Sequence, residues 1–211
     1  MEGVVLLIHF DYDGVLVDSF DQLLDLAQRT QKEMGAGRVP RAEDFRTIAN
    51  LTLKELGCVI GIPEGRAGEF AAQMFHSLRQ DSRIPAVQEG IREILEKLSR
   101  KHTLVVMTAN SGEVVRKGLR QSGLEAFIRT IYDGETSASK AHKIQASMKT
   151  FGVSTSQTYM VGDALSDITE GKKAGVKTIA VAWGYQPRER LVEGNPDYLV
   201  ETPREILKIF D

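Results

Sequence analysis

Apolar positions along this chain fall into two recurring patterns. The first is a short, nearly continuous run, Val4-Val5-Leu6-Leu7-Ile8-His9-Phe10, which ends at Asp11. Such a run suits a strand of a parallel sheet buried on both faces, because a half-exposed strand would alternate apolar with polar residues. Similar runs recur at 103–107, 129–132, 157–161 and 177–182. The second pattern is helical: Ile91, Ile94, Leu95 and Leu98, and later Ile144, Met148 and Phe151, recur every three to four positions. Strand and helix alternate, which predicts an α/β fold class, a doubly wound parallel-sheet core of Rossmann-like form.

One stretch breaks the alternation. From Ser19 to Arg83 the spacing stays helical (Leu23, Leu26, Thr30, Met34; then Phe70, Met74, Leu78) and no convincing strand occurs. It ends near Ile84-Pro85, where the proline disfavours helix in the residue before it. The expected organisation is a core of residues 1–18 and 84–211, interrupted by a helical insert of residues 19–83.

Composition mainly excludes. With 27 basic and 29 acidic residues the net charge is -2, so there is no electrostatic case for nucleic acid or an anionic membrane. The run from Val4 is too short to span a bilayer, and it lacks both a basic segment before it and a small-residue cleavage site after it. Cys58 is the only cysteine, which rules out an intrachain disulfide and suits a reducing, cytoplasmic setting. A buried, small hydrophobic role is expected for Cys58, and a monomer for the chain.

Candidate chemistry gathers where the apolar runs end. Asp11-Tyr12-Asp13-Gly14 follows the first run, and Gly162-Asp163-Ala164-Leu165-Ser166-Asp167 follows a later one. Either alone reads as a turn or a helix N-terminus. Together they would bring the carboxylates of Asp11, Asp13, Asp163 and Asp167 into one crevice at the carboxyl ends of the strands. At an effective dielectric of about 20, like charges about 4 Å apart repel by on the order of 4 kcal/mol, so a cation is needed. Hard oxygen ligands without a Cys or His cluster favour Mg²⁺. Thr108, Ala109 and Asn110 offer a hydroxyl and backbone N–H groups ahead of a helix, which suits a phosphate oxygen. Lys140 opens a helix, where the dipole disfavours a cation, so something outside the helix must hold it. Lys143, three residues on, is the alternative. His9, His76, His102 and His142 share no spacing and read as structural or surface residues.

These motifs, in this order, resemble the haloacid dehalogenase-like hydrolase superfamily: an Asp-x-Asp-Gly after the first strand, a Thr after the second, a Lys, and a Gly-Asp-x-x-x-Asp. The insert looks like that family's helical cap domain. Phe10 to Ser19, the loop Val181-Ala182-Trp183-Gly184-Tyr185 and the tail Asn195-Pro196-Asp197-Tyr198 are most similar to the phosphoglycolate phosphatase group. Val15 stands where that group has Thr, and Ala141 where proline follows the lysine.

The resemblance implies a magnesium-dependent phosphatase acting on a small phosphorylated metabolite, with 2-phosphoglycolate the leading named candidate. Asp11 would be the nucleophile, Asp13 the acid and base, and Lys140 a phosphate and Asp11 partner. Thr108, Ala109 and Asn110 would bind phosphate. Asp11, the Asp13 carbonyl and Asp163 would hold Mg²⁺, with Asp167 in support. The second aspartate argues against a dehalogenase, since halide needs no proton to leave. A phosphomutase and a non-catalytic magnesium or phosphate sensor are the alternatives. Arg46, Thr47, Asn50 and Leu51 are expected to select the leaving group, with Arg46 either a partner for a substrate carboxylate or a solvated surface charge.

Overall fold

Along the chain the elements are β1 (Leu7–Phe10), β2 (Val17–Asp18), α1 (Phe20–Met34), α2 (Ala42–Thr47), α3 (Leu53–Val59), α4 (Glu64–Gln80), β3 (Ala86–Val87), α5 (Ile91–Ser99), β4 (Thr103–Met107), α6 (Gly112–Gln121), β5 (Thr130–Tyr132), α7 (Lys140–Phe151), β6 (Thr158–Gly162), α8 (Leu165–Ala174), β7 (Lys177–Val181), α9 (Arg188–Glu193), β8 (Tyr198–Val200) and α10 (Pro203–Phe210). The structure is a computed structural model that describes residues 4–48, 52–136 and 138–210.

The six-stranded sheet has the order β5-β4-β1-β6-β7-β8, and every pairing in it is parallel. Each residue of β1 is buried because β4 and β6 flank it and helices cover both sheet faces. Alternation along the strand divides the core. Ile8 and Phe10 join Ile91, Ile94 and Leu95 of α5 and Leu119 of α6, whereas Leu7 joins Ile144 and Met148 of α7. Each such burial stabilises the fold by roughly 1.5–3 kcal/mol. The chain leaves β1 toward β4 and β5 on one side and later returns to β6, β7 and β8 on the other. The order therefore reverses beside β1, which opens a crevice at the carboxyl ends of β1 and β6.

The first apolar run forms a shorter strand than its pattern suggested. Val4 and Val5 are exposed, because β4 begins only at Thr103, whose N–H reaches the Leu6 carbonyl. The antiparallel ribbon of β2 and β3 and the edge strand β8 were not anticipated.

Helices α1 to α4 lie between the two ribbon strands and pack around their own core of Leu26, Phe45, Leu56, Phe70 and Met74. Gly57 lets α3 approach α4, since a Cβ there would meet the Phe70 ring at 3.1 Å. Cys58 corrects the expectation of burial. It is exposed, because it stands two positions beyond the inward-facing Leu56, about 200° round the helix. Among the described residues no helix is long and apolar enough to cross a membrane.

Candidate active site

Asp11 is the last residue that β1 holds in register, its N–H donating to the Val161 carbonyl at 2.9 Å. The chain then turns back at once. Leu16 and Val17 both donate to the Tyr12 carbonyl, and Gly14 takes a left-handed φ of 79°. Glycine is required at that position twice over, because a Cβ would also fall 2.1 Å from Asp163 Oδ2.

The turn brings the Asp13 carboxylate under two donors. Ser19 donates to Oδ1 at 2.6 Å and the Asn110 carboxamide to Oδ2 at 3.0 Å. Ser19 Oγ also lies 2.6 Å from the Tyr185 hydroxyl. Because the single Ser19 proton goes to Asp13, Tyr185 must be the donor in that contact. An O–H···O–H···O chain thus runs from Tyr185 to Asp13.

β6 delivers Asp163 to the same crevice. Its Oδ2 accepts the Tyr185 N–H at 2.6 Å, while Oδ1 is buried with no hydrogen-bond partner among the described residues. Gly184 walls it closely, since a Cβ there would come within 2.2 Å of the Asp163 Cβ. Asp167, in the first turn of α8, accepts the Ala164 N–H at 3.2 Å through Oδ2. The helix N-terminal role open to this residue from sequence is therefore realised together with a second one. Lys140 Nζ donates to Asp11 Oδ2 at 2.7 Å and to Asp167 Oδ1 at 2.5 Å. These acids hold the cation at the unfavourable end of α7, and Glu170 of α8 supports the same end by accepting the Ala141 N–H.

The electrostatics follow from burial. It pushes Asp11, Asp13 and Asp163 above the ordinary carboxylate range and Asp167 up to about 6. Lys140 opposes the rise at Asp11 and Asp167, and Ser19 and Asn110 oppose it at Asp13. The negative charges of Asp11 and Asp167 push Asp163 further up. Burial would lower Lys140, but Asp11 and Asp167 outweigh it and hold the ammonium above its usual value. Asp11, Asp163 and Asp167 present oxygens within 4.8 Å of one another. With the orphaned Asp163 Oδ1, this is an all-oxygen donor set in which one ammonium, Lys140, faces three carboxylates, and it fits a hard divalent cation such as Mg²⁺.

Thr108, buried at the end of β4, accepts the Asn110 N–H at 3.0 Å, and Ala109 is exposed beside it. The Asn110 side chain is directed to Asp13. Lys143 turns instead to the Asp133 carbonyl, so Lys140 is the lysine that meets the carboxylates. A cavity of about 500 Å³ joins these residues to the inner face of the helical insert. Arg46 lines a different cavity, beside Trp183 and Gln186, and Thr47 donates back to the Glu43 carbonyl within its own helix. Asn50 and Leu51 lie outside the described residues. His9 is buried, whereas His76 and His142 are exposed.

Sequence reasoning missed Ser19, Tyr185 and Gln186 as parts of this site. The Gln186 carboxamide accepts the Leu165 N–H of α8 and donates to the Ile48 carbonyl of the insert, both at 2.7 Å. Ser19 and Tyr185 are 166 positions apart, and no local pattern joins them.

Comparison with known proteins agrees with this architecture. The phosphoglycolate phosphatase of Synechococcus elongatus is 28% identical over 209 residues, covering 95% of each chain. The pyrophosphatase PpaX of Oceanobacillus iheyensis is 32% identical over 139 residues, 64% of each chain. A solved haloacid dehalogenase-like hydrolase from Streptococcus pneumoniae shares the fold with a TM-score of 0.85 at 24% identity, over 98% of this chain and 99% of its own. The family model for haloacid dehalogenase-like hydrolases matches residues 8–181, and the chain belongs to that family.

Proposed function

We propose that this protein is a magnesium-dependent phosphatase that hydrolyses a small phosphomonoester through an aspartyl phosphate on Asp11. The observation that carries the reading is the unequal treatment of two neighbouring aspartates. Lys140 contacts Asp11 directly, whereas neutral donors, Ser19 and Asn110, hold Asp13. One is suited to remain an anion and the other to exchange a proton. The phosphatase names of the relatives support the same chemistry.

Asp11 attacks phosphorus, forming a new P–O bond as the bond to the leaving oxygen breaks. Asp13, raised by burial, is protonated at that moment and gives its proton to the departing alkoxide. It then accepts a proton from the water that attacks the aspartyl phosphate, which releases phosphate and restores Asp11. Lys140 keeps Asp11 ionised and meets a phosphoryl oxygen. The Thr108 hydroxyl, already accepting from Asn110, has its own proton to give to another. Asp11, Asp163 and the Asp13 carbonyl would hold Mg²⁺, which when bound supplies charge compensation for nucleophile and phosphate. Asp167 acts from behind, through Lys140. The insert covers the crevice as a cap and limits water.

The test is phosphate release from a panel of small phosphoesters with Mg²⁺ and again after chelation. Release that depends on Mg²⁺ is expected. Absence of release from every ester would overturn the proposal in favour of a sensor. Interconversion of a bisphosphorylated sugar without net release would replace it with a mutase.

A further inference from the structure

We infer that the leaving group is an apolar alcohol, an alkyl or aryl body of several carbons, and not one bearing a second anionic group; this rests on the phosphatase reading above. The cavity above Asp11 and Asp13 has about 500 Å³, well inside the range of sites for drug-sized ligands and far more than a phosphoryl group fills. Its insert side is mostly apolar, with Phe45, Ile48, Leu53, Ala71, Phe75 and Leu78 beside Thr52, Lys54 and Glu55. Ala71, Phe75 and Leu78 recur at i, i+4 and i+7, so α4 turns one apolar stripe toward the catalytic carboxylates. Leu53 and Phe75 are only partly buried against the insert core, which leaves apolar surface for a ligand to cover.

A carboxylate or phosphate on the leaving group would need a cation on that wall. Among the described residues the charged groups there are the exposed Lys54 and, next to it in sequence, the oppositely charged Glu55, so the wall carries no net charge, while Lys143 on the core side of the cavity donates to the Asp133 carbonyl. Arg46 lines the other cavity.

The inference is tested with a series of n-alkyl phosphates from ethyl to octyl, whose leaving groups differ little in acidity, beside 2-phosphoglycolate and p-nitrophenyl phosphate. We expect kcat/KM to rise about threefold per methylene until the cavity is filled, with hexyl phosphate at least about tenfold above 2-phosphoglycolate. Phe75→Ala should flatten the slope, and Phe75→Arg should shift preference toward 2-phosphoglycolate. A flat or falling series, or preference of the native protein for 2-phosphoglycolate, would overturn the inference. Binding of n-alkylphosphonates with Mg²⁺, followed by calorimetry, separates it from the phosphatase reading. Affinity that grows with chain length alongside no turnover of any ester would sustain the apolar site and sink the phosphatase. Affinity that ignores chain length would sink the apolar site whatever the turnover.

Discussion

At the scale of residues, the two aspartates of the first motif differ in their partners, and those partners define the predictions. Asp11→Asn removes the proposed nucleophile while Lys140 keeps Asp167, so turnover should fall by at least about 10⁴-fold with the melting temperature nearly unchanged. Single-turnover phosphate release and a thermal melt check both halves. Ser19 stabilises the anionic form of Asp13. Ser19→Ala should therefore raise the Asp13 pKa further and move the alkaline limb of kcat, where the acid loses its proton, to higher pH. Tyr185→Phe should move it in the same direction by less. A pH–rate profile left in place by both changes would remove the hydroxyl chain from any positioning role.

Much of this site was legible because Asp11, Thr108 and Asp163 directly follow buried apolar runs. The choice between Lys140 and Lys143 was not, since residues three apart on a helix differ by only about 60° in direction and contacts from other elements decide. Nothing local in the sequence signals that the Asn110 carboxamide donates to Asp13, 97 positions away.

At the scale of elements, β1 carries an unusual load for a strand of its length. His9 donates from Nδ1 to the Tyr159 carbonyl at 3.1 Å, which leaves Nε2 to accept from Ser147 of α7 at 2.9 Å. That arrangement uses the neutral ring, and burial lowers its pKa to about 4. An unfolded histidine titrates near 6.5, so between those values the unfolded chain binds the extra proton. Stability from this group is full above about pH 6.5 and falls as pH drops toward 4, by on the order of 3 kcal/mol. Urea titrations at pH 7.5 and 5 should show the loss, and His9→Gln should lose less between the two. Ile8→Ala should cost about 2–5 kcal/mol at either pH, because it opens a cavity without changing a titration.

The long buried strands were readable from their runs, and the helices from their spacing. β2, β3 and β8 were not, because two or three residues with an exposed position carry no period to detect. Cys58 illustrates the same limit: composition favours burial of a lone cysteine, but its angle on α3 decides otherwise.

At the scale of the whole molecule, Gln186 ties the insert to the core. Its oxygen is committed to Leu165 N–H and its nitrogen to the Ile48 carbonyl, so Gln186→Glu would set a carboxylate against a carbonyl. That change should weaken the seating of the insert, raising KM several-fold and increasing amide exchange in α2 with little change in β1. Equal exchange in both variants would show that the seating depends on other contacts.

The ribbon of β2 and β3 also bears on how such a chain folds. β1 must find β4 across the entire length of the insert, and loop closure over so many flexible residues is slow. Pairing Val17 with Val87 brings the two ends of the insert together. Once that pair forms around a collapsed α1–α4, the insert contributes almost nothing to the loop entropy of the sheet. The ribbon then acts as a zipper pull for the core: Val17→Pro, which disrupts it, should slow refolding more than it speeds unfolding.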